Sequence, residues 1–168
     1  MRKQIGALIL VIVTIAVVSK LGQGPPADPK LVWTLDGVVL GQGYESLRGR
    51  WGRPETGRND QNRWIIGEWG GLENVVLRRG EGHEGWRVTQ FCGRALALDG
   101  IVRSRVGEAW SAPLELGPPS QQNGEQTAFR IPLESPITID GRVYRGTRLS
   151  VLHPDSRIAE IRWEVTLK

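Results

Sequence analysis

The 168-residue sequence carries 22 Lys and Arg residues against 18 Asp and Glu residues, for a formal net charge of +4. Three basic residues, Arg2, Lys3 and Lys20, flank one apolar segment, so the rest of the chain is almost neutral, with 19 basic and 18 acidic residues. Nucleic-acid binding needs a concentrated excess of positive charge, so this balance argues against a nucleic-acid partner. The single cysteine, Cys92, excludes an intramolecular disulfide.

An uncharged apolar run at the N-terminus, IGALILVIVTIAVV, occupies residues 5–18. A short basic start before such a run is typical of a signal peptide or signal-anchor, and we assign residues 1–22 to that role. As a helix, residues 5–21 span roughly 25 Å, and Lys20 can reach the interface to complete a crossing of about 30 Å. The residues expected to form the membrane anchor are Ile5, Leu8, Leu10, Ile12, Ile15 and Val18.

This segment predicts a membrane-anchored protein whose soluble part lies outside the cytoplasm, because Arg2 and Lys3 hold the N-terminus inside. The alternative is cleavage near Ser19, which would give a secreted or periplasmic protein. Residues 23–30, with the sequence QGPPADPK, form a linker, since three prolines and a glycine cannot continue a helix.

Short motifs recur in the same order in the two halves of the remaining chain. LDGVV at 35–39 returns as LDGIV at 98–102, and GRP at 52–54 is followed by GPP at 117–119. This order predicts an internal duplication. Chance similarity in a chain with 22 glycines is the alternative.

The predicted repeats span residues 31–97 and 98–168. Each is expected to combine a short helix with antiparallel strands, so the fold class predicted is α+β, with two duplicated units preceded by the N-terminal hydrophobic helix. Strands are predicted at residues 63–69, 74–79 and 86–92, which are rich in Trp, Ile and Val and separated by glycines.

The clearest helix is predicted near residues 43–51, because Tyr44, Leu47 and Trp51 share one helical stripe. A Gly-x-Pro sequence then ends it. The equivalent stretch of the second half contains Pro113, so the helix there must be shorter, kinked or lost.

The last strand alternates with a period of two. Ala159, Ile161, Trp163 and Val165 are predicted to point to one side, and Glu160, Arg162 and Glu164 to the other. This pattern is typical of a sheet with one face in water.

A resemblance to a known fold lies in GVVLGQGYESLRGRWGRP at 37–54, VTQFCGRALALDG at 88–100 and SRIAEIRWEV at 156–165. These segments resemble the β-lactamase-inhibitory-protein-like fold, which includes the small SmpA/BamE-type proteins of the bacterial envelope. The last segment is similar to the closing strand of the tandem inhibitors. The resemblance implies a fold of helix and antiparallel strands, present here as a tandem repeat, rather than a particular partner.

Catalytic and metal-binding groups are sparse. The two histidines, His83 and His153, have no second ligand at metal spacing, so neither a metal nor another cofactor is expected. A hydrolase that uses Cys92 or His83 is the remote alternative, because no residue that would orient such a pair is evident.

Tryptophan and arginine give the candidate binding residues. Arg63 and Trp64 on one predicted strand, Trp86 and Arg87 on another, and Arg162 on the last have the composition of a protein interface. The alternative is that the tryptophans are ordinary core residues.

We therefore predict a non-catalytic, membrane-tethered binding or scaffold module of the bacterial envelope with a protein partner. An envelope or secreted inhibitor of an enzyme is the alternative.

Overall fold

The computed structural model describes residues 31–60, 62–80 and 85–167, and only the backbone of residue 134. The predicted membrane anchor and linker, residues 1–22 and 23–30, lie outside the described residues. Within the described residues, no helix is long and apolar enough to cross a membrane.

Strands dominate the described chain. They are joined by one α-helix and two short 3-10 turns. In chain order the elements are β1 (Trp33–Leu35), α1 (Tyr44–Trp51), β2 (Arg58–Asp60), β3 (Arg63–Trp69), β4 (Leu72–Arg79), β5 (Trp86–Gly93), β6 (Ala95–Leu98), β7 (Ile101–Arg105), a 3-10 turn (Leu114–Leu116), β8 (Gln121–Gln122), β9 (Gln126–Ile139), β10 (Arg142–Leu152), a second 3-10 turn (Pro154–Ser156) and β11 (Glu160–Thr166).

The strands form two antiparallel sheets. The small sheet has the order β1-β6-β7, and the large sheet has the order β2-β3-β4-β5-β11-β10-β9-β8. Strands β2 to β5 therefore make up one half of the large sheet, here called the N-terminal half-sheet, and β8 to β11 make up the C-terminal half-sheet. The two halves meet in the middle, where β5 pairs with β11 from Gln90–Glu164 to Gly93–Ile161.

The predicted α+β class, with two duplicated units that each carry a short helix, is wrong. The described residues are mostly antiparallel β-structure, and α1 is the one α-helix among them. In the second half the expected helix is reduced to the 3-10 turn at Leu114–Leu116. Pro113 precedes this turn and Gly117 (φ 69°) ends it, so an i to i−4 hydrogen-bond ladder has no room to form. The predicted N-terminal helix falls outside the described residues.

The helix predicted from the first-half stripe is confirmed. Leu47 is fully buried, and Tyr44 and Trp51 pack against the core beside it. The helix ends at Gly52, which has a φ of 79° and donates its backbone N–H to the Arg48 carbonyl at 2.8 Å. The strands predicted at 63–69, 74–79 and 86–92 are also present as β3, β4 and β5.

The repeated Leu-Asp-Gly motif forms tight hairpin turns in both places where it occurs. Asp36 and Gly37 have φ values of 51° and 75°, and Asp99 and Gly100 have 50° and 79°. Positive φ at both central residues is the signature of a type I′ turn, for which Asp-Gly is a preferred pair. The Asp36 carboxylate also accepts the backbone N–H of Arg94 at 2.6 Å, which ties β1 to the start of β6.

The hydrophobic core lies on one face of the large sheet. The small sheet and α1 contribute Leu35, Leu47, Leu96 and others to the same cluster as the inward side chains of the large sheet. Inward side chains of both half-sheets are almost fully buried: Ile66, Leu77, Val88, Phe91, Phe129, Leu149, Val151, Ile161 and Trp163. We call this side the covered face and the opposite side of the large sheet the open face.

Candidate functional site

The open face carries the side chains that alternate with these core residues. Ile161 and Trp163 on β11 are buried, whereas Arg162 is exposed and Glu164 half-buried. The predicted alternation of the last strand is confirmed for these residues. Ala159 precedes β11 and is exposed, and Val165 is half-buried against the core. Side chains alternate between the two faces along a strand, and directly paired residues of neighbouring strands lie on the same face. The strand register therefore identifies the outward residues of the neighbouring strands.

Three arginines stand in cross-strand register on the N-terminal half-sheet. Arg63 of β3 lies directly opposite Arg78 of β4, and Arg78 lies directly opposite Arg87 of β5. Arg63 is exposed, and Arg78 and Arg87 are half-buried. We call these three residues the arginine row. Asp60 of β2 is the next residue in the same register, opposite Arg63.

Arg87 also connects β5 to the loop before α1. Its Nη1 donates to the Gly41 carbonyl at 2.9 Å. On the same stretch of β5, Val88 exchanges backbone hydrogen bonds with Gly41 and Gln42 at 2.8 and 3.0 Å. Arg87 therefore lines a shallow cleft between residues 39–42 and the end of β9 at Ile137.

A second row of polar side chains crosses from the centre of the sheet into the C-terminal half-sheet. Gln90, Glu164, Arg148 and Arg130 lie in register on β5, β11, β10 and β9. Arg148 donates to the Gln121 side-chain oxygen at 2.6 Å, so its guanidinium is held over β8. The open face thus carries arginines in both half-sheets, and acidic groups lie between them.

The centre of the open face holds the single cysteine. Cys92 is 4% exposed, and burial raises the pKa of its thiol, an effect that a hydrogen bond from Arg162 partly offsets. Arg162 in turn forms an ion pair with Glu160 at 2.9 Å. A thiol with a raised pKa stays protonated at neutral pH and is a poor nucleophile. Cys92 is therefore a buried thiol at the centre of the sheet, beside Arg162.

The two tryptophans of the predicted binding patch lie on the covered face. Trp64 packs against Tyr44 of α1 with ring centroids 5.2 Å apart, and the ring centroids of Trp86 and Trp64 are 6.1 Å apart. The same cluster includes Trp69, 5.4 Å from Tyr44. Both Trp64 and Trp86 are half-buried there, so the structure gives them the core role that was the alternative at the sequence level.

Of the five predicted partner-binding residues, Arg63, Arg87 and Arg162 therefore lie on the open face. Arg63 and Arg87 belong to the arginine row, whereas Arg162 lies opposite Cys92, five residues along β5 from Arg87. Sequence reasoning did not single out Arg78, Arg130 and Arg148. Arg78 could have been found from its place after the apolar run of β4. The direct pairing of these residues with arginines of other strands depends on register, which a single sequence does not give.

The histidines give no candidate catalytic centre in the described chain. His153 is buried, stacks on Trp110 with ring centroids 5.5 Å apart, and lies 2.9 Å from the Thr127 hydroxyl through Nε2. His83 lies outside the described residues. Among the residues that the structure describes, no group of three His, Cys, Asp or Glu side chains could hold a metal ion.

Comparison with known proteins adds no relative, because no family model, no curated protein and no solved structure matches the chain. The resemblance to the β-lactamase-inhibitory-protein-like fold stays a prediction.

Proposed function

We propose that this protein is a non-catalytic binding module that captures a protein partner on the open face of its large sheet. The observation that carries the proposal is the arginine-rich open face of an eight-stranded sheet whose opposite face holds the hydrophobic core. Buried core residues alternate with Arg63, Arg78, Arg148 and Arg162 across both half-sheets.

Arginine suits this role for two physical reasons. Its planar guanidinium binds carboxylates in a bidentate manner and is weakly hydrated, so it loses less on desolvation than lysine does. Arginine is also enriched among the residues that dominate binding energy at protein interfaces. The sheet already fixes the backbone from which these side chains extend, so binding has to order the side chains but little of the backbone.

Cellular location belongs to the same proposal. The apolar run at residues 5–18, with basic residues before it, supports a module tethered to a membrane with its body outside the cytoplasm, in the bacterial envelope. Sequencing the N-terminus of the mature protein tests this: an intact N-terminus supports the tether, and a chain that begins at Lys20 overturns it.

The envelope or secreted inhibitor remains the second candidate, supported by the similarity of residues 156–165 to the tandem inhibitors.

The binding proposal is tested with two matched arginine variants of the full chain. Arg162 on the open face and Arg103 on β7 of the small sheet each form one ion pair with a glutamate, at 2.9 and 2.8 Å. We expect Arg162→Ala to weaken capture of the envelope partner by about 2 kcal/mol, the size of a binding hot spot. Arg103→Ala is expected to leave capture unchanged.

Capture is measured by pull-down from envelope extracts with each variant as bait, followed by titration of the identified partner. A thermal melt of each variant checks that the fold is intact. Equal capture by the wild type and both variants would place the binding surface elsewhere. A partner that is an enzyme, and that loses activity in the complex, would favour the inhibitor.

A further inference from the structure

Three cross-strand pairs follow one another on the open face along β3 and β4. Arg63 pairs with Arg78, Ile65 with Val76, and Glu68 with Glu73. Arg63, Glu68 and Glu73 are exposed, Arg78 and Ile65 are half-buried, and Val76 is 4% exposed. The second pair lies two residue steps from the first along β3, and the third lies three steps from the second.

The third pair remains on the open face because the alternation shifts near Asn74. Asn74 has a φ of 52°, and the pairing of β4 with β5 changes register between Glu73 and Val76. Leu72 and Val75 consequently both point into the core, and Glu73 points outward, 3.8 Å from Arg94. The irregularity thus places the glutamate pair on the same face as the arginine pair.

Like charges directly opposite one another destabilise strand pairing, so these pairs do not help the fold. In the described chain, no carboxylate lies within ion-pair distance of Arg63 or Arg78, although Asp60 is the register neighbour of Arg63. By contrast, Arg162 has Glu160 at 2.9 Å and Arg94 has Glu73 at 3.8 Å. A ligand that supplies a carboxylate to the arginine pair would remove the repulsion.

We infer that the Arg63–Arg78, Ile65–Val76 and Glu68–Glu73 pairs form a docking track for an extended segment of a partner protein, with an acidic residue at one end, an apolar residue in the middle and a basic residue at the other end. The inference rests on the proposed function and specifies its partner. From the first pair to the third the track covers five residue steps, or about 17 Å.

The order of the three pairs favours a peptide over other anionic ligands. A carboxylate accepts a bidentate pair of hydrogen bonds from a guanidinium. An apolar side chain two positions further along would cover the half-buried Ile65, which lies beside the already buried Val76. A polyphosphate or an anionic membrane surface would meet the glutamate pair at the far end and be repelled by it. Because the segment lies on side chains rather than on a strand edge, it can run in either direction along the track.

Peptide display on the full-length protein tests the track. A random twelve-residue library is expected to yield peptides with an acidic and a basic residue about five positions apart and an apolar residue between them. Selection on Arg63→Glu/Arg78→Glu is expected to replace the acidic residue with a basic one. The control Arg103→Glu/Arg105→Glu makes the same charge change on β7 and should enrich the wild-type peptides.

Affinities of one selected peptide then quantify the effect by fluorescence polarisation. Binding is expected to fall at least about tenfold with Arg63→Gln/Arg78→Gln, the milder variant, and at least about tenfold when the acidic residue of the peptide becomes its amide. It is also expected to weaken with added NaCl, because the contacts are only partly shielded from solvent.

Two outcomes of these peptide experiments overturn the inference. One is enrichment of the same peptides, or of none, on the wild type and on Arg63→Glu/Arg78→Glu. The other is that no peptide binds, while inorganic phosphate raises the Tm only when both Arg63 and Arg78 are present. That result would assign the arginine pair to a phosphate ligand. If capture of the envelope partner depends on Arg162 but not on the track, the track is wrong and the proposed function stands.

Discussion

The two halves of the large sheet are covered in different ways. Above the N-terminal half-sheet, α1 brings Tyr44 and Trp51 onto Trp64 and Trp69, with ring centroids 5.2 to 5.6 Å apart. On the C-terminal side, the described residues that cover the sheet form no α-helix. There, Trp110 stacks on His153 at 5.5 Å and approaches Phe129 at 6.3 Å.

The difference shows that a four-stranded antiparallel half-sheet can be covered by a short helix or by an irregular loop, provided that large aromatic side chains fill the space. Aromatic rings bury a large apolar area per residue, so a few of them compensate for an incomplete layer of secondary structure. It also indicates where the stability of the protein is concentrated, since the N-terminal cluster joins four ring systems through α1 and β3.

The largest effect is expected from Trp69→Ala in that cluster. Trp69 is 4% exposed, packs against Tyr44 and Trp51, and donates its indole N–H to the Gly52 carbonyl at 3.2 Å. Its truncation should lower the free energy of unfolding by about 3 to 5 kcal/mol. Urea denaturation followed by circular dichroism measures this loss.

Trp110→Ala provides the comparison in the other half. Trp110 is half-buried, so we expect a smaller loss of about 2 kcal/mol. If Trp110→Ala costs as much as Trp69→Ala, the two covering layers contribute equally and the proposed concentration of stability near α1 is wrong.

A smaller effect is expected from alanine substitutions at two glycines beside the same cluster. Comparing them separates the cost of backbone strain from the cost of a side-chain clash. Gly70 and Gly71 form the turn between β3 and β4, with φ values of 61° and 86°. A Cβ at Gly70 would overlap the Trp51 ring, whereas a Cβ at Gly71 would meet no atom within 4 Å. Both alanine variants carry the cost of a positive φ, roughly 1 kcal/mol, but Gly70→Ala must also displace Trp51.

We therefore expect Gly70→Ala to be less stable than Gly71→Ala by about 1 to 3 kcal/mol, the usual cost of overpacking. Thermal or urea denaturation of the pair measures the difference. Equal stabilities would mean that α1 shifts freely on the sheet, contrary to a tightly packed cluster.

The smallest effect is expected at the junction of the two half-sheets, where Cys92 of β5 faces Arg162 of β11. Burial raises the pKa of the Cys92 thiol above its ordinary value of 9.0. A thiol with a raised pKa in the folded state stabilises the fold fully below the unfolded pKa, and this contribution is lost as the pH rises through the folded pKa. The free energy of unfolding should thus decline above about pH 9.

Urea titrations between pH 7 and 10.5 measure this decline, and Cys92→Ala serves as the control. The variant lacks the ionisable thiol, so its stability should fall less over the same range. Parallel pH profiles for the two proteins would show that the thiol ionises as easily in the folded state as in the unfolded one.

Parts of the fold were readable in advance because they depend on local patterns. The stripe of Tyr44, Leu47 and Trp51 gave the helix, and the alternation of Ile161, Arg162 and Trp163 gave the wet and dry sides of the last strand. The predicted α+β class was wrong because the recurring LDG and G-x-P motifs were taken to imply a second helix in the second half of the chain. Pro113 already argued against that helix, and only the 3-10 turn formed.

The candidate site was only partly readable for a similar reason. All five candidate residues were chosen for their residue type. The arginines Arg63, Arg87 and Arg162 lie on the open face, whereas Trp64 and Trp86 pack in the aromatic cluster under α1. Period-two alternation shows that adjacent residues of a strand point to opposite sides. Which side is covered depends on where the helix and the small sheet pack, and a strand pattern does not contain that information.

By itself, the amino-acid sequence determined the local features: the apolar N-terminal run, the Asp-Gly turns, the helix before Gly52 and the alternating strands. Each of these depends on backbone sterics or on hydrophobic periodicity over a few residues. Only the tertiary structure decided that β5 joins β11 in one eight-stranded sheet and that Arg63 and Arg78 stand side by side. Those contacts depend on strand register between distant segments, which is selected by burial of one whole face against the rest of the core.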